Sequence, residues 1–191
     1  PIATMPTVFS HPLVPLALGI GMGKKTIPSP LLKLGILVSI LPDFDALAFT
    51  LGIPYASQLG HRGFSHSLVT AILVALGCCL FHRQLRASRW SVFWFCALSM
   101  ASHPLLDALT DGGLGVALFW PFSNKRYFFP WATISVSPIG MGFFSIRGWE
   151  VLKSEIYSVW LPCIALGLVL FSGRVTLCAM TQSRQTKDNP D

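Results

Sequence analysis

Charge is scarce in this chain of 191 residues: Asp, Glu, Lys and Arg together make up 12% of it, against 52% apolar residues. So few charges do not cover the surface of an ordinary soluble domain, and a mean hydropathy of +0.60 points instead to a membrane protein. Acids are the scarcest of the ionisable groups. There are eight, and Asp43, Asp45, Asp107 and Asp111 are the only ones before Glu150. No Cys-x-x-Cys spacing occurs among Cys78, Cys79, Cys96, Cys163 and Cys178, which removes a thiolate zinc site and any disulfide framework and leaves them as small apolar fillers. No Gly-x-Ser-x-Gly elbow is present, so Ser65 and Ser67 carry little weight as nucleophiles. The start of the chain lacks a basic region followed by a short apolar core and a small-residue cleavage site, so no removable signal peptide is expected.

What is present is a series of apolar segments separated by breakers and short basic groups. Five are read, at about residues 5–23, 31–53, 64–81, 90–109 and 156–172, giving an all-α polytopic membrane bundle with four or five transmembrane segments. The first is rich in Pro and Gly, and its cleanest apolar part is short for a span of about 20 residues, so it either crosses or re-enters. The second is interrupted by Leu41-Pro42-Asp43-Phe44-Asp45, where Pro42 ends or kinks the helix and presents both acids at the break. Residues 112–155, with several prolines and many aromatics, read as an outer interfacial region in which Lys125 and Arg126 anchor among headgroups. Residues 1–172 form one domain, and residues 173–191 form a polar, unstructured cytoplasmic tail.

The most pointed stretch is Ser102-His103-Pro104-Leu105-Leu106-Asp107-Ala108-Leu109-Thr110-Asp111. In a helix, steps of four residues turn only about 40°, so His103, Asp107 and Asp111 fall on one stripe at the end of an apolar run. A His and an Asp one turn apart often do no more than bond each other. Here, however, the rest of the sparse inventory clusters in the same way: His11 in Ser-His-Pro, Asp43 and Asp45 at the Pro42 break, and His61 and His66 in Gly60-His61-Arg62-Gly63-Phe64-Ser65-His66-Ser67. Of the five histidines only His82, beside Arg83, stands apart.

Alternate crossing of the segments brings all eight of these candidate ligands to one side. The other side receives Lys24, Lys25, Lys33, Arg83, Arg86, Arg89, Arg174, Arg184 and Lys187, against Arg62, Lys125, Arg126, Arg147 and Lys153 on the site side. The Lys/Arg excess marks the cytoplasm, so the site is expected to face outward, toward the periplasm of a Gram-negative cell. Because the +6 net charge is carried in short groups rather than one stripe, it reads as a topology signal and not as a nucleic-acid surface.

Imidazole and carboxylate are the donors that divalent zinc favours. Ions held a few ångströms apart polarise a phosphoryl oxygen and lower the pKa of a bound water toward about 7. The expected metal set is therefore His11, Asp43, Asp45, His61, His66, His103, Asp107 and Asp111, with Zn2+ the expected ion and two ions favoured over one or three. Asp43 or Asp107 is expected to bridge the ions, the two are the expected catalytic carboxylates with Arg62, and Arg62, between two candidate ligands, is placed to hold a phosphate or carboxylate as a fork.

His11, the Leu-Pro-Asp-Phe-Asp at 41–45, the His-Arg-Gly-Phe-Ser-His-Ser at 61–67 and the His-Pro-Leu-Leu-Asp-Ala-Leu-Thr-Asp-Gly-Gly at 103–113 resemble the small bacterial inner-membrane metal-dependent hydrolases also described as LexA-regulated or LexA-binding. The resemblance covers roughly residues 5–145. That family is distantly similar to the zinc-dependent phospholipases C and related nucleases, all-helical enzymes holding up to three zinc ions. The resemblance implies metal roles for His11, Asp43, His61 or His66, His103 and Asp107, with Asp45 and Asp111 following, and a link to the SOS response through the family's label. Those soluble enzymes take further His and Glu ligands from a later helix, whereas this chain has no histidine after residue 103. The expected activity is hydrolysis of a phosphoester, lipid or lipid-linked, with membrane lipids as surroundings. The competing expectation is a non-enzymatic metal-binding membrane protein with a structural, transport or regulatory role.

Overall fold

Proline and glycine decide where the helices of this chain begin and end. The computed structural model describes residues 8–136 and 145–188, with side chains described to residue 182. It contains α1 (Leu13–Met22), α2 (Ser29–Ile40), α3 (Leu68–Cys78), α4 (Arg89–Ala108), α5 (Ile146–Glu155) and α6 (Leu161–Asp188). No strand forms among the described residues, only the isolated bridges Thr110–Ile134 and Val116–Tyr127. The all-helical expectation stands. The start of the first apolar segment at residues 5–7, Pro138 of the outer region and the end of the tail lie outside the described residues.

Each boundary has a local cause. Helix α1 ends at Gly23, whose φ of 80° suits a residue without a β-carbon. Helix α2 starts with a proline in its first turn, where the missing N–H costs nothing, and stops just before Pro42. Beyond it Leu41–Phe49 winds as a tighter 3-10 helix. Ser67 caps α3 by accepting from Thr70 N at 3.1 Å, and Ser88 caps α4 by accepting from Ser91 N at 3.0 Å.

Helix α4 is the centre of the main core. Leu31 and Val38 of α2 and Ala71 and Ala75 of α3 are buried with Val92, Phe95, Cys96 and Met100 of α4. Gly35 lies so close under the Phe95 ring that any β-carbon there would collide with it. A second, smaller core joins Ala17 of α1 to Val159 and Cys163, with Ile134 of the outer loop closing it. Here the two helices meet through small residues, as membrane helices do when close van der Waals approach replaces a hydrophobic driving force. The outer loop then folds back on the exit of α4, where carbonyls lack helical partners. Phe129 N bonds Ala108 O at 2.8 Å, and Thr133 N and Ile134 N bond Leu109 O at 3.0 and 3.1 Å.

The C-terminal part of the chain is more continuous than expected. The outer region was expected to carry short helices, and α5 is one, an amphipathic stretch that runs without a break into the last apolar segment; a π-turn at Ile156–Trp160 absorbs the approach of Pro162 and joins α5 to α6. The tail is helical to Asp188 instead of unstructured from 173, because Arg174-Val-Thr-Leu-Cys-Ala-Met offers no proline and keeps an apolar content that continues the helix. Among the described residues, Ile146–Gln182 is the one helical run long and apolar enough to cross a membrane by length and composition; Leu13–Met22 and Leu68–Phe81 are shorter apolar helices. Only 6% of the apolar window in the long run is buried, and Leu168, Val169 and Leu177 are among its exposed side chains.

The α1–α6 crossing is testable through its glycine. A β-carbon at Gly21 would lie 2.6 Å from Leu170 Cβ and 3.1 Å from Gly167 O, whereas one at Gly77 meets nothing within 4 Å. Gly21→Ala should therefore lower thermal stability in detergent by about 1–3 kcal/mol, and Gly77→Ala should leave the melting temperature unchanged or slightly raised.

Candidate metal centre

A 3-10 helix turns about 120° per residue, so two residues two apart face in different directions. On Leu41–Phe49 this sends Asp43 toward His11 and His103, and Asp45 toward His61 and His66. Helix α4 does the opposite: His103 and Asp107, four apart, share one inward face.

The loop at 60–67 supplies the remaining groups. It is too tight for side chains at its glycines: a β-carbon on Gly63 would strike Gln58 O and Gly60 O. Arg62 adopts a left-handed φ of 61° and is fully buried. The outer loop clamps this turn. Ala117 N bonds Arg62 O at 3.1 Å, and Arg126 donates to His61 O at 3.0 Å, Ser57 O at 2.9 Å and Tyr55 O at 3.2 Å. Arg126 is thus a fastener of the His61 loop and not the lipid anchor its sequence position suggested; partial burial lowers its guanidinium from the ordinary value. Lys125 is exposed.

His11 precedes α1 in a turn fixed from the far end of the chain. Ser10 Oγ donates to Glu155 Oε2 at 2.7 Å and accepts from Trp160 Nε1 at 3.0 Å. The His11 ring stacks on His103 with centroids 3.7 Å apart and planes at 17°.

Hydrogen-bond partners set the tautomers. His103 Nδ1 lies 2.7 Å from Ser39 O, and a carbonyl only accepts, so Nδ1 carries the proton and Nε2 presents a lone pair. Asp45 does the same for His61, Oδ1 taking Nδ1 at 2.6 Å, while Oδ2 accepts Arg62 N at 3.2 Å and the Ser65 hydroxyl; His66 Nδ1 donates to that hydroxyl oxygen at 3.0 Å and lies 3.1 Å from Oδ2 as an ion-pair contact. The Nε2 atoms therefore point inward, and those of His66 and His103 face each other at 3.1 Å. Between and around them stand carboxylate oxygens: Asp107 Oδ2 at 3.2 Å from His66 Nε2, Asp43 Oδ1 at 3.3 Å from His103 Nε2, and Asp43 Oδ2 and Asp107 Oδ1 each 3.9 Å from His11 Nε2. Both nitrogens of His11, Nε2 of His61 and all four oxygens of Asp43 and Asp107 are buried without a hydrogen-bond partner. Such groups are costly to bury unless something compensates them. The candidate ligands fall into two trios, His11–His103–Asp107 and Asp43–His61–His66, in each of which the ligand atoms lie within 4.8 Å of one another and could hold a metal ion. That spacing lets each trio share one cation.

Six of the expected ligands are thus brought together. Asp45 stands behind them, one oxygen orienting His61 directly and the other His66 through the Ser65 hydroxyl, in the way that outer carboxylates fix metal-bound imidazoles. Asp111 falls outside: α4 ends at Ala108, so the stripe does not reach residue 111, and the exposed Asp111 accepts Val136 N at 2.9 Å to hold the outer loop. Arg62 enters the centre as an ion pair, Nε 3.2 Å from Asp107 Oδ2, while Nη1 donates to Thr110 Oγ1 and Gly112 O, each at 3.0 Å, and Nη2 has no hydrogen-bond partner. Gly113, φ 90°, lets the chain pass beside it, since a β-carbon there would come 3.0 Å from Arg62 Nη1. The sequence reading missed Ser39, whose contribution is a backbone carbonyl, and Glu155, whose signal was an acid set against an apolar run.

Residues 5–179 match the family model described as YdjM inner membrane protein. The chain is 44% identical over 164 residues to inner membrane protein YbcI of Escherichia coli strain K12, covering 85% of this chain and 95% of that protein. No solved structure matches.

The orienting role of Asp45 gives a stoichiometric prediction. An asparagine offers one acceptor where Asp45 uses two, so Asp45→Asn loses either the acceptor of His61 Nδ1 or the acceptor that orients the Ser65 hydroxyl under His66 Nδ1, and weakens the Asp43–His61–His66 trio. Elemental analysis of the purified variant should show about half the metal of the parent, with affinity at the lost position reduced by at least 10–100-fold. Equal metal in both proteins would contradict the assignment.

Proposed function

The chain belongs to the YdjM inner membrane protein family, and from that membership and its buried His/Asp cluster we propose a membrane-embedded, metal-dependent hydrolase acting on a phosphoester. The observation that carries the reading is the set of inward-facing acceptor atoms, buried, unpartnered, and confined with a single buried arginine. Neutral imidazole with carboxylate suits Zn2+, and one ion per trio gives two. Asp43 and Asp107 each approach a histidine of the other trio, at 3.3 and 3.2 Å, and are the residues suited to join the two positions. Divalent cations bound there would polarise a phosphoryl oxygen and make water a better acid. The chain's own contribution is orientation and charge. Asp45 and Ser39 O hold the imidazoles, and Arg62, with Nη2 uncommitted, offers a fork to a phosphoryl oxygen.

An amphiphilic substrate fits the surroundings. Asp43 is the ligand nearest the surface, with 9% of its side chain exposed, and the segment that carries it also exposes Leu41, Phe44 and Leu47. A pocket of about 220 Å³ lined by Thr110, Gly112, Gly113 and Phe128 lies beside the groups that hold Arg62. In this reading residues 1–172 form one unit of four or five membrane segments, and the basic turns after α1 and α3 lie in the cytoplasm, so that the centre faces the periplasm. A second reading, a closed non-enzymatic metal site with a structural, transport or regulatory role, is favoured by the complete burial of His11, His61, His66, His103 and Asp107.

Turnover of phospholipids and soluble phosphodiesters by the metal-loaded protein separates the two. Asp43→Ala and His103→Ala should lose both metal and activity. Arg62→Lys should keep its metal and lose about 100-fold in turnover, as removal of one positioned charge does elsewhere. Stoichiometric metal without turnover of any phosphoester would select the closed site.

A further inference from the structure

We propose that the groove between α1 and α6 binds an anionic glycerophospholipid, with an acyl chain lying along the groove and the phosphate held at its basic end by Arg174, Lys24 and Lys25. The site is separate from the metal centre and independent of its chemistry. The groove has a volume of about 440 Å³ and is lined by apolar side chains, among them Leu13, Leu16, Ile20, Ile164, Leu168 and Phe171. It exists because α1 and α6 touch through Ala17, Gly21 and Gly167, which bring the backbones together and leave the larger side chains as walls. From Leu13 to Ile20 it runs about 10 Å along α1, a third of a hydrocarbon core. It ends where the chain turns at Gly23-Lys24-Lys25.

The cations at that end are arranged around the groove's mouth. The Arg174 guanidinium lies against Gly23, donates to Ile20 O at 3.4 Å and sits over the Phe171 ring at 5.0 Å, so it is held at the last apolar position of the groove. Lys24 and Lys25 follow directly and are exposed. No acid occurs in residues 12–42 or 156–187, which include α1, the turn, α2 and nearly all of α6, so these elements offer the three cations no carboxylate of their own. A headgroup phosphate at the membrane surface supplies the missing charge, and arginine is suited to take it as a fork. A free anion has no use for the apolar groove, and a zwitterionic lipid brings its own cation to a site that already has three.

Native mass spectrometry of the full chain in detergent tests this with phosphatidylglycerol, phosphatidylethanolamine of the same acyl composition, and inorganic phosphate. Phosphatidylglycerol should be retained preferentially, and inorganic phosphate should not displace it. Each basic residue removed at the mouth, as in Arg174→Gln or Lys24→Gln, should weaken phosphatidylglycerol binding about fivefold. Leu168→Trp, placed on an exposed rim position where folding is not at stake, should fill the groove and reduce retention of both lipids, while Lys33→Gln on α2 should change nothing. Equal retention of the two lipids, displacement by inorganic phosphate, an unaffected Arg174→Gln, or a co-purifying peptide that phosphatidylglycerol fails to displace would each overturn the proposal.

Discussion

Two imidazole nitrogens facing each other at 3.1 Å, with their donor protons already committed on the far side of each ring, are the constraint on which the rest depends. Once Ser39 O has taken the Nδ1 proton of His103, and Asp45 and the Ser65 hydroxyl those of His61 and His66, these three rings turn acceptor nitrogens into the interior, where the oxygens of Asp43 and Asp107 add further acceptors. Lone pairs so close repel, and water, which must itself find acceptors for two protons and donors for two lone pairs, relieves this less well than a cation does. The chamber could hold positive charge, since the guanidinium of Arg62 at its edge supplies one unit against the two carboxylates Asp43 and Asp107.

The fold serves that chamber by bringing it four segments of different geometry. A regular helix aligns His103 with Asp107, a 3-10 helix splays Asp43 from Asp45, a glycine loop turns His61, Arg62 and His66 inward, and the turn before α1 adds His11. The two trios are held by different means. His103 is oriented by a backbone carbonyl, which no side-chain substitution removes, while His61 and His66 share one carboxylate. Remote parts of the chain lock the assembly: Glu155 and Trp160 through Ser10, and Arg126 through the carbonyls of the His61 loop. Those two fasteners are why the outer loop and the long C-terminal helix belong to the centre although neither contributes a ligand to the trios.

Much of this was legible in the residues. The gathering of His11, Asp43, His61, His66, His103 and Asp107 could be read because ionisable groups are so rare that each one beside an apolar run stood out. The all-helical class followed from the apolar segments. What could not be read was direction and extent. Asp45 differs from Asp43 only by its place on a 3-10 turn, which no local pattern announces, and Asp111 left the stripe because α4 stops at Ala108, where its apolar pattern also ends. The helix beyond residue 173 was hidden because its second half, from Thr181, is polar, although Gln, Arg and Lys there are good helix formers and polarity alone does not end a helix. Arg126 looked like a lipid anchor because its neighbours are aromatic, and only the fold shows the carbonyls it meets.

The claim that the chamber holds cations is tested most directly by X-ray absorption at the zinc edge of the purified, zinc-loaded protein. The account predicts retention of zinc through dialysis, a first shell of nitrogen and oxygen only, and the outer-shell scattering of several imidazoles. A sulfur shell at about 2.3 Å, or zinc lost to buffer as fast as from unfolded protein, would contradict it.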